Sequence, residues 1–246
     1  MIITKHCDKH GDYQATSGEV LGKVIESSCP QCLAEIEAKE AEEKRAQIEA
    51  AMVERAKAMN LRPKYYYATL DSFDAYNAEL QNAKRTTQGL IDGKVLSLLF
   101  VGPVGTGKTH LAAAALNAKK SGMYMTMYEI SATIRASYSA RDEKTELEIV
   151  NGLASVPLLV IDEIGRTKGG DTELNWLSYI IDRRSASGLP FILLSNKHLS
   201  VDCKIQGGCQ DCIDNYFGED IVSRLCEKGY IVKFAGNDYR NKRGEK

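Results

Sequence analysis

The sequence predicts an α/β protein in which a parallel sheet of five buried strands is flanked by helices. Five short apolar runs have the length and composition of buried strands, at 95–101, 123–128, 157–162, 191–195 and 230–234. Helical segments separate most of these runs, for example 109–120, 143–154 and 172–187. Buried strands that alternate with helices are typical of a parallel sheet with helices on both faces.

The composition is that of an ordinary globular protein. Hydrophobic residues make up 43% and charged residues 26% of the 246 positions, and 32 basic residues nearly balance 33 acidic ones. Any DNA contact must therefore come from local patches, because bulk charge favours none. No apolar run approaches the ~18 residues that span a bilayer, and the first nine residues lack the apolar stretch of a signal peptide. We expect a cytoplasmic protein with no membrane partner.

Three zones of different composition divide the chain. Residues 1–33 are rich in Cys, His and Gly and are too few to build an apolar core. Residues 34–60 are dominated by Ala, Glu and Lys, which favour helix. Their sparse apolar side chains indicate a linker helix, either a solvated spacer or a helix that binds a partner. Residues 61–246 contain the alternating strands and helices of the predicted α/β domain.

A glycine-rich motif follows the first strand of the predicted sheet and opens a helix. It matches G-x-x-x-x-G-K-[ST], and its residues, with the next helical position, are Gly102, Pro103, Val104, Gly105, Thr106, Gly107, Lys108, Thr109 and His110. Glycines let successive backbone N–H groups face a phosphate, and the helix N-terminus adds positive potential. Lys108 can reach the β- and γ-phosphates, and the Thr109 hydroxyl can bind Mg²⁺. We therefore expect ATP and Mg²⁺ to bind here.

Two carboxylates end the apolar run at 157–162. They belong to Asp162 and Glu163. We expect Asp162 to hold Mg²⁺, directly or through water, and Glu163 to polarise the attacking water. Acidic residues also follow strands simply because turns are polar, but the phosphate-binding motif upstream favours the catalytic interpretation.

Two further polar residues are candidates for the same reaction. Asn196 follows the strand at 191–195 and could orient the attacking water, although an Asn after a strand is more often a turn residue. Arg224 lies in the segment EDIVSRL. It is either a solvated helix charge or an arginine finger that acts on the site of a neighbouring subunit, and periodicity does not separate these interpretations.

Two ligand pairs near the N-terminus predict a structural zinc site. They are Cys7-x-x-His10 and Cys29-x-x-Cys32. A gap of two residues lets both side chains of a pair face one ion, and four protein ligands close the coordination of zinc. His6 adjoins the site and is the alternative to His10. Without a metal this segment would have no core.

A weaker pattern of cysteines occurs near the C-terminus. Cys203, Cys209 and Cys212 form C-x5-C-x2-C, and either His198 or Cys226 is available as a fourth ligand. The pattern is compatible with a second zinc ion and equally with a loop that carries unremarkable thiols. Both interpretations stay open at this level.

From about residue 61 to residue 240, the chain resembles the ATPase domain of DnaC-type bacterial and phage helicase loaders. The segments that carry the resemblance are GPVGTGKTHLA, PLLVIDEIG, ELNWLSYIIDRRSASGLPFILLSN, DIVSRL and AGNDYR. Some phage loaders are also similar in their CxxHG…CPxC head. The resemblance implies an AAA+ ATPase with no large helical lid after Phe234. It also implies self-association through the ATPase interface around single-stranded DNA and delivery of a replicative hexameric helicase to that strand.

The resemblance also implies roles for individual residues. Asn196 would be the first sensor, Arg224 the arginine finger and Arg240 the second sensor. The helices that face DNA would lie within 129–151, and the candidate DNA contacts there are Arg135, Tyr138 and Arg141. The head would contact the helicase or DNA.

Two departures from the loader pattern stand out. Asp220 occupies the position four residues before Arg224, where these loaders usually carry an Arg, and this puts the coupling between subunits in doubt. An insertion at 202–218 separates the sensor strand from the finger helix. Two alternative functions remain, an AAA+ helper of a transposase and a nucleotide-gated adaptor with negligible turnover. The complete set of reactive residues argues against the adaptor.

Overall fold

The computed structural model describes residues 2–20, 23–139, 144–166, 170–205, 209–236 and 238–239, with the backbone alone at positions 20, 219 and 220. The chain divides into two compact units, Met1–Val53 and Glu54–Lys246. Among the described residues, no helix combines the length and the apolar character that would let it cross a membrane.

The N-terminal unit contains a small antiparallel sheet. Strands β1 (Ile2–Cys7), β2 (Gly11–Val20) and β3 (Lys23–Glu26) pair in the order β1-β2-β3. Of the residues described in this unit, only Ala15 and Cys29 are buried. So little buried apolar surface cannot stabilise a fold by itself, which matches the prediction that this zone has no apolar core.

Helix α1 (Pro30–Ala58) begins with a proline, which suits the first helical position because the N–H there has no partner within the helix. The sequence predicts a linker helix over 34–60, and the observed helix begins four residues before position 34. Its apolar side chains Leu33, Ile36 and Ile48 are exposed. This Ala- and Glu-rich helix therefore buries no apolar face along most of its length.

The second unit contains the predicted five-stranded parallel sheet. Its strands are β4 (Ser97–Val101), β5 (Met123–Thr126), β6 (Leu159–Asp162), β7 (Phe191–Ser195) and β8 (Gly229–Lys233). They lie in the order β5-β6-β7-β4-β8, and every neighbouring pair is parallel. After β8, the described residues 234–236 and 238–239 contain no helix.

Helices cover both faces of this sheet. They are α2 (Ala78–Ile91), α3 (Lys108–Lys119), α4 (Met127–Ser137), α5 (Glu146–Ser155), α6 (Asp171–Ser187) and α7 (Ile213–Glu227). Side chains alternate along a strand, so Leu98 and Phe100 of β4 join one core with α2 and α3. Leu99 and Val101 join a second core with the remaining helices.

The strand predicted at 123–128 is shorter in the structure. Strand β5 ends at Thr126, whose side chain accepts a hydrogen bond from the backbone N–H of Glu129, while the Glu129 carboxylate accepts one from the Thr126 backbone. This reciprocal cap starts helix α4 at Met127. The cap at Thr126 therefore ends the strand, although the apolar run continues beyond it.

The register of the sheet brings three functional segments to one edge. Val101 of β4 pairs with Ser195 of β7, and β7 pairs with β6 on its other side. Gly102, Glu163 and Asn196 each come directly after one of these three strands. Parallel strands that share a carboxyl edge form the crevice in which α/β proteins bind ligands.

Candidate nucleotide-binding site and metal centre

A cavity of about 840 Å³ opens at this edge of the sheet. Its wall includes side chains from the glycine-rich loop, from the ends of β6 and β7 and from the segment near the C-terminus. The residues among these that the sequence predicts are Val104, Gly105, Gly107, Lys108, Thr109, His110, Asp162, Glu163 and Asn196. This volume lies within the range of small-molecule sites.

The glycine-rich loop adopts a backbone conformation that leaves no room for side chains at its glycines. Gly102, Gly105 and Gly107 have φ values of 140°, 81° and 93°, a region that favours glycine. A Cβ on Gly102 would lie 2.1 Å from the carbonyl oxygen of Phe234, and one on Gly107 would lie 2.7 Å from Cε2 of Phe73. The backbone of this loop therefore requires glycine at these positions, as the turn of a phosphate-binding loop does.

Lys108 places a buried positive charge inside the loop. Lys108 is only 6% exposed. Its ammonium donates to the carbonyl oxygens of Gly102 and Pro103, each at 2.6 Å. The Thr106 hydroxyl donates to Pro103 as well, at 2.9 Å, while Val104 is about half exposed at 49%. Lys108 thus places a cation on the wall of the cavity, where it suits an anionic ligand.

Thr109 and Asp162 form an oxygen pair suited to Mg²⁺. The Thr109 hydroxyl donates to Oδ2 of Asp162 at 2.8 Å. The Tyr124 hydroxyl donates to the same oxygen at 2.7 Å, and burial raises the pKa of Tyr124. Hydroxyl and carboxylate oxygens are the hard ligands that Mg²⁺ prefers. Tyr124 therefore orients the Asp162 carboxylate. Nothing in the sequence around Tyr124 indicates this role.

Glu163 is held in an uncommon conformation. Its φ is 61°, a left-handed value that costs free energy in a residue other than glycine and often marks a functional site. Its backbone N–H donates to Oδ1 of Asp162 at 2.6 Å. Its carboxylate accepts from Nη1 of Arg166 at 2.7 Å, on the cavity wall. The sequence does not indicate this partner.

Asn196 and Arg224, two further residues of the predicted reaction, lie apart. Asn196 lines the cavity together with Glu163. Arg224 lies on α7 outside the cavity lining, and its Nη1 is 2.6 Å from Oδ1 of Asp182 on α6. The structure therefore brings Asn196, but not Arg224, to the cavity of its own chain. Arg240, the predicted second sensor, lies outside the described residues.

The structure also shows the positions of His110 and of two of the predicted DNA contacts. His110 packs beside Phe73 and its Nε2 is 2.9 Å from the Ser72 hydroxyl, and burial lowers the pKa of its imidazole. Arg135 and Tyr138 are exposed on and just after α4. Arg141 and the side chain of Asp220 lie outside the part of the chain that is described.

The N-terminal unit brings its predicted zinc ligands together. The ligand atoms of Cys7, His10, Cys29 and Cys32, here called the head cluster, all lie within 4.8 Å of one another. The Cys7 and Cys32 sulfurs are 3.5 Å apart, and three sulfurs lie 3.3–3.8 Å from His10 Nδ1. Tetrahedral zinc separates two sulfurs by about 3.8 Å and sulfur from nitrogen by about 3.5 Å, so these donors fit zinc.

The surroundings of the head cluster also suit a metal. Backbone N–H groups of Lys9 and His10 donate to the Cys7 sulfur and lower its pKa to about 6, which favours the thiolate that binds metal. His10 Nε2 lies 3.1 Å from Oε1 of Glu35, as in the carboxylate–histidine pairs that support zinc ligands. His6 instead faces Asp12, at 2.6 Å, away from the cluster.

Changing Glu35 to Gln is expected to lower the affinity of the head cluster for zinc about 10-fold or more, because the imidazole loses its anionic partner. The measurement is competition of the full chain with a chromophoric chelator. Glu37→Gln is the matched control, since Glu37 is an exposed residue of the same helix with no contact to the cluster. Equal affinities for the two variants would show that Glu35 does not support the ligand.

Comparison with known proteins identifies the family. The family model of IstB-like ATP binding proteins matches residues 34–246. The chain belongs to this family.

Individual relatives agree with this assignment. This IstB-like protein is 34% identical to the replicative helicase loader DnaC of Escherichia coli K12 over 146 residues, which cover 55% of this chain and 59% of the loader. It is 29% identical to a protein of insertion sequence IS5376 from Geobacillus stearothermophilus, named as ATP-binding, over 71% of this chain and 68% of the relative. It thus spans little more than half the length of the loader relatives.

Solved structures confirm the predicted AAA+ fold. The crystal structure of the DnaC helicase loader matches with a TM-score of 0.58 at 24% identity, over 71% of this chain and all of that one. The replication initiator DnaA bound to AMPPCP and single-stranded DNA matches with a TM-score of 0.55 at 23% identity, over 72% of this chain and 51% of that one. At these identities the likeness shows the fold of the IstB-like protein and nothing finer.

Proposed function

We propose that this IstB-like protein is an ATP-dependent loader that binds a replicative hexameric DNA helicase and places it on single-stranded DNA. Binding and hydrolysis of ATP would serve as the switch. The observation that carries the proposal is the arrangement of Lys108, the Thr109–Asp162 pair and Glu163 around one cavity. The 34% identity to DnaC loaders supports the helicase as partner, and such a loader would work in the bacterial cytoplasm.

Each residue of the cavity has a chemical task in this proposal. Lys108 and the N-terminus of α3 offset the negative charge of the ATP phosphates. Thr109 and Asp162 would hold Mg²⁺, which would neutralise charge on the phosphate oxygens. Glu163 accepts a proton from the attacking water, and Asn196 orients that water.

Arg224 supports self-association as part of the mechanism. It is absent from the cavity lining of its own chain, and its side chain is 49% exposed. An arginine that completes the transition-state charge must reach a γ-phosphate. Arg224 therefore serves the site of a neighbouring copy, and the ion pair with Asp182 holds it in place until the copies meet.

Mixing two inactive variants tests this arrangement. Arg224→Ala and Glu163→Gln are each expected to lower ATP turnover with single-stranded DNA at least about 100-fold. A 1:1 mixture is expected to recover about one quarter of wild-type turnover, because one in four random interfaces joins an intact Glu163 to an intact Arg224. Turnover is measured by phosphate release.

Arg85→Ala is the control for this experiment, since Arg85 is an exposed arginine on α2 outside the cavity. It should keep wild-type turnover. A mixture that remains inactive would contradict action between copies. Wild-type protein that binds ATP but shows no turnover, with single-stranded DNA and with helicase, would reject the loader mechanism and favour the nucleotide-gated adaptor.

A transposition helper is the second candidate function. The observation that favours it is the match to the IS5376 protein, which covers more of this chain, 71% against 55%, although at lower identity. Capture experiments with the purified full chain separate the two. Retention of a hexameric helicase in an ATP-dependent complex supports the loader, and retention of a transposase alone supports the helper.

A further inference from the structure

The insertion at 202–218, together with His198 just before it, gathers metal-binding side chains beside the nucleotide cavity, whose wall includes His198. Four ligand atoms lie within 4.8 Å of one another. They belong to the insertion cluster, defined as His198, Cys203, Cys209 and Cys212. The sequence leaves open whether His198 or Cys226 is the fourth member. The structure selects His198, because Cys226 is exposed on α7 and is not part of the group.

The distances within the insertion cluster are those that zinc imposes. The Cys209 and Cys212 sulfurs are 3.8 Å apart, and each lies 3.4 Å from Nε2 of His198. Zinc bonds of about 2.3 Å to sulfur and about 2.0–2.1 Å to nitrogen, arranged tetrahedrally, separate the ligand atoms by about 3.8 Å and about 3.5 Å. The donor set of three sulfurs and one imidazole is also that of the head cluster.

Backbone groups hold these side chains in place. The Asp211 N–H donates to the Cys209 sulfur at 3.3 Å, and the Cys209 N–H donates to the Cys212 sulfur at 3.1 Å. His198 pairs through its backbone with the chain beside Cys212, accepting from the Ile213 N–H at 2.8 Å. These hydrogen bonds hold the two sulfurs in fixed positions. The arrangement is therefore preorganised for a cation.

We propose that the insertion cluster binds a structural zinc ion that joins the end of β7 to the start of α7. Three thiolates and one imidazole fill all four positions of tetrahedral zinc, which leaves no position for a substrate. The ion would thus act as a clip in the fold and take no part in a reaction.

The clip would hold one wall of the nucleotide cavity. Lys197 directly precedes His198, and its ammonium donates to the carbonyl oxygen of Gln210 at 2.8 Å and to Oδ1 of Asp211 at 3.2 Å. A Cβ on Gly165 would lie 2.6 Å from Cε of Lys197, so the Lys197 stem packs closely against the segment after Glu163. The insertion cluster therefore borders the cavity through His198 and positions the wall beside it.

Zinc content of the full chain tests the proposal. Wild-type protein, washed of loosely bound metal, should contain about two zinc ions per chain, one in each cluster. Cys209→Ser and Cys29→Ser should each contain about one. Cys226→Ser is the matched control and should keep about two, because it removes an exposed thiol outside both clusters. A Cys209→Ser protein with wild-type zinc content, or iron in place of zinc, would overturn the assignment.

Thiol alkylation of wild-type protein makes the test independent of folding defects in variants. Cys203 and Cys209 are only partly buried, so they should react with a small alkylating agent after a chelator removes zinc and resist it before. Cys226 should react equally in both states. Mass spectrometry locates the modified cysteines. Alkylation of Cys203 and Cys209 that is unaffected by the chelator would contradict a metal at the insertion cluster.

The effect on the cavity rests on the proposed function and is tested separately. Cys209→Ser should lower DNA-stimulated ATP turnover about 10-fold, the usual effect of a lost supporting contact, while Cys226→Ser should not. If zinc content falls but turnover is unchanged, the clip is present and its link to the cavity fails. If wild-type protein shows no turnover at all, the proposed function fails and the zinc result stands.

Discussion

The Glu163→Gln protein is expected to hydrolyse ATP at least about 100-fold more slowly than wild type while its affinity for ATP changes little. The amide keeps the shape of the side chain but cannot accept a proton from water, and a general base contributes about 100-fold to 10,000-fold. The Arg166 ion pair is lost as well, but such a pair at an exposed surface contributes at most about 1 kcal/mol to stability. Phosphate release and titration with a fluorescent ATP analogue measure the two quantities.

Two further variants sharpen this result. Lys108→Ala should lose ATP binding itself, because Lys108 supplies the buried positive charge of the phosphate cradle. Glu227→Gln, at the exposed end of α7, should behave as wild type in both measurements. Turnover by Glu163→Gln at the wild-type rate would remove Glu163 from the reaction. Loss of binding in this variant would indicate that its strained backbone, at φ 61°, shapes the cradle instead.

Replacing Arg184 by Met is expected to destabilise the second unit by about 4 kcal/mol and to lower its melting temperature by about 10 °C. Arg184 is completely buried on α6, and burial lowers the pKa of its guanidinium to about 10. It is still charged at neutral pH. Its nitrogens donate to five backbone carbonyl oxygens, those of Leu153, Ala154, Val156, Pro157 and Pro190. Methionine would remove the donor from all five acceptors, and the bonds to Leu153 and Ala154 are buried.

The neighbouring Arg183 provides the control. It is exposed and donates to the Tyr179 hydroxyl at 3.1 Å, so Arg183→Met should change the melting temperature by less than about 2 °C. Trp176, the one tryptophan of the chain, is buried on α6 and reports on this unit by fluorescence. Equal melting temperatures for the two variants would show that the carbonyl oxygens do not depend on Arg184.

Much of the second unit could be predicted because its signals are local. Buried parallel strands are continuous apolar runs, and the five runs in the sequence correspond to the five strands of the sheet. The sequence does not predict the N-terminal sheet, because its strands bury almost no apolar side chains. The sequence overestimates the length of strand β5, because the helix cap at Thr126 interrupts an apolar run.

The sequence does not reveal the residues that support the sites, because their partners are far away along the chain. Tyr124 bonds to Asp162 from a neighbouring strand, and Glu35 reaches His10 from the helix that follows the sheet. A tyrosine in a strand and a glutamate in an Ala/Glu-rich helix are common, so neither has a distinctive pattern. Arg184 likewise forms part of the ordinary pair Arg183–Arg184 until the fold buries one of them.

Chemistry that depends on short spacing along the chain can be predicted from the sequence alone. The loop at 102–109, the carboxylates that follow β6 and the paired ligands of the head cluster are each encoded within a few residues, because one turn or one strand end presents them together. The distant partners that complete these groups are visible only in the folded chain. The tertiary structure selected His10 over His6 and His198 over Cys226, and it separated Arg224 from the cavity. The physical reason is that packing of the strands and helices, and not spacing along the chain, sets the distance between residues far apart in sequence.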